Sequence, residues 1–341
     1  MKVKLATKEN ANQLRSRLKK LGLSDLVVKA AWPRWWSDEA DSSSSARVEL
    51  RFSLARKLGL DPHSLLDDQE QPRFVWRDEA RFKHLSGESE IEQSAITSFG
   101  KAIGSVLISV SPGPIAIGGT SAQELRKAIL SDKQPYVRLV DLLSLCWSTG
   151  IPVVHLRVFP WPQKRMAAMT VQVKDRSAIL LGKDSMYPAQ IAFYLAHELG
   201  HIALSHLTAD RVIVDLEQQT PSLAEQDVEE TAADRFALEL LTGDARPTVL
   251  PSEARYSARE LARVALASAE ELKVEPGTLA LCFGYSTNDW ATANGSLQRI
   301  YSAPKQVWNE VNSLAQSQLA MDRVPSDAVD YVNAVLGAEP A

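Results

Sequence analysis

Residues 189–207 read AQIAFYLAHELGHIALSHL, an almost wholly apolar run that holds three of the six histidines in 341 residues. A segment this apolar all the way round folds as a helix inside a core. Burying a carboxylate and imidazoles there costs roughly 1 to 3 kcal/mol each unless partners come with them. Any fold this chain adopts must therefore set a polar partner for His197, Glu198 and His201 into its own interior.

His197 and His201 stand four residues apart and project from one helix face. With Glu198 between them they spell HExxH, in which two neutral imidazoles hold Zn²⁺ and the glutamate takes a proton from water activated by the ion. Such a zinc needs three protein ligands and an open position. His206 lies five residues beyond His201, about 140° round an ideal helix, and so points elsewhere. It reads as a helix-end histidine bonded to the last carbonyls. The metzincin pattern needs Gly at 204 and His at 207, where this chain has Leu204 and Leu207.

The third ligand is sought downstream in LAEQDVEETAADRFALELL, where Ser222 and Glu225 fit a capping box and Gly243 fits a stop. Glu230 and Asp234 are four residues apart on one face of that helix. Glu230 can complete the metal shell, and Asp234 can accept the free N–H of a zinc-bound histidine and fix its ring. Glu229 is the rival ligand. Glu230 is preferred because it alone has a carboxylate one turn on.

Composition sets the wider frame. With 45% hydrophobic and 23% charged residues the chain can bury sizeable cores. Cys146 and Cys282 are far apart and form no CxxC, which argues for two buried thiols in a reducing compartment. MKVKLATKEN lacks the apolar core of a secretion signal, and Pro112 and Pro114 break the apolar run near residues 103–117 short of a membrane span. A cytoplasmic protein with no membrane partner is expected. Net charge is −4, yet residues 1–60 carry thirteen Lys and Arg against six Asp and Glu, a balance of +7 that leaves −11 for the rest. A basic front of this kind suits DNA or an acidic protein, or forms a solvated helical surface.

Along the chain, KENANQLRSRLKKL is a helix with Thr7 as cap and Gly22 as stop, DSSSSA at 41–46 reads as a polar loop, and VELRFSLARKLG and a short helix after Asp61-Pro62 follow. LRSRLKKLGLS and LARKLGLDPHSLL resemble the first and last helices of Cro/repressor-type helix-turn-helix domains, while Pro33 and the serine run interrupt the place of a recognition helix. Residues 67–95 read as a polar connector with short helices, one at 81–84. Three strands are expected, in GIPVVHLRVF, AMTVQV and SAILLG, the last two joined at 174–176. The expected fold is α+β and predominantly helical. It comprises a helical, degenerate helix-turn-helix-like domain (1–66), a connector with helices (67–110), a zincin-like domain with a small sheet (111–245) and a helical C-terminal region (246–341).

HELGH, followed 29 residues later by ExxxD and then RFALELL, resembles the ImmA/IrrE family of metallopeptidases, whose members read HE[LI]GH and then A[ND]xFAxxLL. The second motif stands here as Ala233-Asp234-Arg235-Phe236-Ala237, and LLTG stands where many members have LLMP. The resemblance implies a zinc endopeptidase with His197, His201 and Glu230 on the metal and Glu198 as base. It also implies helix-turn-helix repressors as substrates, in stress or mobile-element control. A peptide laid along the sheet edge beside SAILLG would gain main-chain hydrogen bonds. The competing expectation is a regulator that binds DNA or a toxin partner, its zinc site structural or vestigial.

Overall fold

The computed structural model describes residues 8–76, 80–83, 90–130, 134–160, 166–207, 212–216, 228–247, 256–303 and 305–338. Within them the chain opens with α1 (Ala11–Lys20), α2 (Asp25–Ala31), α3 (Asp38–Ser42), α4 (Ser44–Leu58) and α5 (Pro62–Leu66), then β1 (Ala80–Lys83) and α6 (Glu90–Ser109). There follow α7 (Ala122–Leu130), α8 (Leu139–Ser148), β2 (Val153–His155), β3 (Met166–Val173), β4 (Arg176–Leu181), α9 (Pro188–Ala203), β5 (Val212–Leu216) and α10 (Val228–Thr242). The chain closes with α11 (Ala258–Leu272), α12 (Pro276–Thr287), α13 (Trp290–Ile300), α14 (Val307–Gln318) and α15 (Ser326–Leu336). The fold is α+β and mostly helical, as expected.

Side chains at the ends explain many of the helix limits. Asn10, not Thr7, caps α1, with Gln13 closing a capping box; Thr7 lies outside the described residues. The serine run is no loop, because Ser37 caps α3 and Ser43 caps α4, each accepting the N–H three residues on. Asp61 caps α5, whose first residue is proline. Gly243 takes a positive φ after α10, whereas Ser222 and Glu225 lie outside the described residues.

The sheet has five strands in the order β1-β5-β3-β4-β2. The β3–β4 hairpin turns at Lys174, in left-handed backbone, where the sequence placed a turn. β3 is antiparallel to both neighbours, while β1 runs parallel to β5 and β2 parallel to β4. Two strands go beyond the expected three. β5 follows the histidine helix, and β1 occupies the place where a short helix at 81–84 was expected. A sheet that draws β1 from residues 80–83 joins the stretch expected as a connector to the main domain, so a boundary near residue 110 divides the observed sheet.

The two faces of the sheet carry different cores. Met169, Val171, Leu180 and Val214 pack with Phe99 and Ile103 of α6, and this cluster continues into Leu14, Leu50 and Leu54 of the N-terminal helices and Tyr331 and Val335 of α15. Ala168, Ile179 and Leu181 face Leu142 and Cys146 of α8, Leu195 and Leu199 of α9, and Phe236 and Leu240 of α10. Both cysteines are buried and unpaired, as expected, and burial pushes the Cys282 thiol up to about 12.

Part of the basic charge of residues 1–60 turns inward, while Arg15, Lys19, Lys20 and Lys29 stay exposed. Arg51 is buried and bonds the Leu65 carbonyl and the carboxylates of Glu9 and Asp68. Arg17 also pairs with Glu9 and reaches the carbonyls of Leu65 and Asp67. Lys57 is buried against the Ala31 carbonyl, and Arg15 stacks on the Trp32 ring. The place of a recognition helix holds α3, five residues long with no buried side chain. No helix among the described residues is long and apolar enough to cross a membrane.

Candidate metal centre

α9 begins with Pro188 at its first turn and buries Ile191, Leu195 and Leu199 against the sheet. That packing fixes which way the next face of the helix looks. His197 and His201 leave this face together, their rings 4.7 Å apart between centroids and nearly perpendicular, with Nε2 to Nε2 at 3.0 Å. α10 crosses the same face at Gly200, where a β-carbon would come within 3.2 Å of the Ala233 carbonyl oxygen. The missing side chain lets the two backbones approach, and the approach delivers Glu230.

Glu230 sets Oε1 3.1 Å from His201 Nε2 and Oε2 3.4 Å from His197 Nε2. Donor atoms of His197, His201 and Glu230 all lie within 4.8 Å of one another, and among the described residues this is the group that could hold a metal ion. Glu229, the rival, is not part of it. Ligands about 2.0–2.1 Å from a tetrahedral ion lie roughly 3.3–3.4 Å apart, so spacings of 3.0, 3.1 and 3.4 Å suit one ion between two imidazoles and a carboxylate. The chemistry of the donors agrees. His197 Nδ1 lies 2.9 Å from Asp234 Oδ1, so its ring proton points to the carboxylate and the Nε2 lone pair faces inward.

Glu198 is buried, and its Oε2 accepts a hydrogen bond from the hydroxyl of Thr170, itself buried on β3. Thr170 escaped the sequence reading, because only the packing of β3 beneath α9 brings it to the glutamate. His206 does not point away. α9 ends at Ala203, and Ser205 adopts a φ of +58°, so the 140° expected of a continuing helix does not apply. Its Nδ1 instead lies 2.9 Å from His201 Nδ1. Tyr187, at the helix start, stacks on Tyr301.

The expected substrate edge beside SAILLG is not an edge. β4 is paired with β3 on one side and β2 on the other. At β2, the Asn312 amide accepts from the His155 N–H and donates to the His155 carbonyl, so those main-chain groups are also taken.

Two imidazoles one turn apart, a glutamate beside them and a carboxylate from the following helix, packed on a small mixed sheet, form a group that could hold a metal ion within a zincin-like α+β domain. Residues 147–275 match the family model described as the IrrE N-terminal-like domain, Peptidase_M78. The matched segment contains His197, Glu198, His201, Glu230 and Asp234, so this part of the chain is similar to the IrrE N-terminal-like domain. The match does not extend to residues 1–66. Neither a curated protein nor a solved structure matches the chain.

Proposed function

We propose that this protein is a cytoplasmic zinc-dependent endopeptidase whose substrate is a regulatory protein, such as a helix-turn-helix transcriptional repressor. The observation that carries the reading is the convergence of His197, His201 and Glu230 beside a buried Glu198, within a segment that matches a peptidase family. His197 and His201 would hold the ion through Nε2 and Glu230 through its carboxylate. A zinc ion held there supplies Lewis acidity, polarising a peptide carbonyl and lowering the pKa of water toward neutrality.

The chain's own groups do the rest. Glu198 accepts the proton of the attacking water and returns it to the leaving amine. Thr170 holds the carboxylate of Glu198 in place, and Asp234 holds the His197 ring. The buried setting of Glu198 and Thr170 keeps bulk water from their hydrogen bond, which strengthens it, whereas Asp234 is half exposed.

The decisive experiment combines metal analysis with incubation of the purified chain and a repressor encoded next to it. Wild type is expected to contain about one zinc and to cleave. Glu198→Gln is expected to keep the zinc and lose at least about a hundredfold in rate, in line with general-base loss. Equal cleavage by both proteins would remove the proposal. For the rival reading of a DNA-binding regulator, Arg17, Arg51 and Lys57 turn inward, and Arg15, Lys19 and Lys20 are the exposed charges it would use. It requires salt-dependent DNA binding that survives Glu198→Gln.

A further inference from the structure

We infer that His206 is a positioning residue for His201, placed there by the capping motif that ends α9. The inference rests on His201 being a metal ligand.

The placement follows from the backbone. Beyond Ala203 the Ser205 N–H donates to the Ile202 carbonyl at 3.1 Å, and the His206 N–H donates to the His201 carbonyl at 3.0 Å. With Ser205 in the left-handed region, these are the two bonds of a Schellman motif. The motif folds the residue two past the cap back over the residue three before it. Those positions normally hold an apolar pair. Here they hold His206 and His201, and the contact is imidazole on imidazole, with ring centroids 5.1 Å apart and Nδ1 to Nδ1 at 2.9 Å. The turn is anchored from outside by the Gly119 N–H, which donates to the Ala203 carbonyl at 2.8 Å.

The chemistry fixes the tautomers. His201 Nε2 faces both Glu230 Oε1 at 3.1 Å and His197 Nε2 at 3.0 Å. To offer a lone pair there, His201 must carry its ring proton on Nδ1. That N–H donates to His206 Nδ1, so His206 accepts as a neutral ring with its own proton on Nε2. His206 does for His201 what Asp234 does for His197, through a neutral acceptor in place of an anionic one. An acceptor at this position fixes the ring plane of a ligand and raises metal affinity.

The test is metal affinity of the full-length chain, stripped and titrated with Zn²⁺ against a chromophoric chelator, and with Co²⁺ followed by its visible spectrum. His206→Ala is expected to bind about 10- to 100-fold more weakly, the usual effect of losing such a partner, and to alter the Co²⁺ bands. His206→Asn, whose Oδ1 can accept the same bond, is expected to recover most of the affinity. Affinity and spectrum of His206→Ala indistinguishable from wild type would overturn the inference. Should His206→Ala fail to fold, the pair Ser205→Gly and Ser205→Val keeps His206 and varies only the turn. Glycine accepts the left-handed backbone and should preserve affinity, and valine resists it and should lower affinity. Equal affinity in that pair overturns the inference as well. A wild type that binds zinc and cleaves nothing would sink the peptidase proposal and leave this one standing. A wild type that binds no metal would sink both.

Discussion

Glu198 sits in the interior with a hydroxyl from the neighbouring strand on one of its oxygens, and that contact is where single-residue chemistry can be probed most cleanly. Thr170→Val keeps the shape of the side chain and removes the donor. Losing a hydrogen bond to a buried charged group costs about 1 to 3 kcal/mol, so the variant is expected to turn over roughly ten- to a hundredfold more slowly with KM little changed. Thr170→Ser restores the donor and should recover most of the rate. A KM effect with unchanged kcat would show that Thr170 meets substrate instead of Glu198. At this scale the pairs His197/His201 and Glu230/Asp234 were legible because helical periodicity puts residues four apart on one face, and Glu198 because HExxH marks it. Thr170 and His206 were not. The first depends on strand packing. The second depends on a serine at a left-handed position, where glycine is the usual signal.

Between elements, the crossing of α9 and α10 decides whether the ligands meet. Gly200 lies at the crossing, and the atoms nearest an added β-carbon are the Ala233 carbonyl oxygen and Cα and the Phe236 Cβ, at 3.2 to 3.3 Å. Most of that is α10 backbone, which yields only if the helix shifts. Gly200→Ala is therefore expected to leave the fold intact while moving Glu230 outward and weakening Zn²⁺ binding about tenfold or more, since ligand placement within about 0.5 Å matters to such sites. Chelator competition checks it, and unchanged affinity would show that α10 adapts without cost. Removal of metal by a chelator should also lower the unfolding temperature of wild type, and far less that of His201→Ala. Long elements were readable from their periods, as in the body of α4 and in α9, although the cap of α4 at Ser43 lay in a stretch expected as a loop. The short strands were not. β1 is ARFK and β5 is VIVDL, and neither carries enough alternation to declare itself without the partners it pairs with.

Across the whole molecule, the first and last helices share one core. Leu14, Val28 and Leu54 belong to the same cluster as Tyr331, Val332 and Val335. Arg56 bonds Asp327 at 2.7 Å and Arg34 pairs with Asp330 at 3.1 Å across the same junction. A fragment of residues 1–66 is accordingly expected to lack a cooperative thermal transition, and Tyr331→Ala in the full chain to cost about 3 to 5 kcal/mol. Sharp melting of the fragment alone would mark an independent domain. Asp327 adds a pH signature. Partial burial raises its pKa, but the hydrogen bonds from Arg56 and Ser53 and the charges of Arg56 and Lys57 together outweigh this and hold it below its ordinary 3.8. A depressed carboxylate stabilises the fold above its unfolded pKa, and this contribution is lost as pH falls below about 3.8 through the folded value. Arg56 is 57% exposed, so the effect is small, on the order of a few tenths of a kcal/mol. It should vanish in Asp327→Asn when urea midpoints are compared from pH 6 to pH 3. None of this junction was visible along the chain, because sequence pattern marks faces and not their distant partners.

That shared core also sets a timetable. A ribosome extending the chain by about 5 to 20 residues per second needs roughly 15 to 55 seconds to travel from α5 to the end of α15. Throughout that interval the N-terminal leucines have no closing helix to cover them. A newborn chain of this kind leaves part of that core open to solvent until α15 emerges, and termination before α15 leaves it open for good.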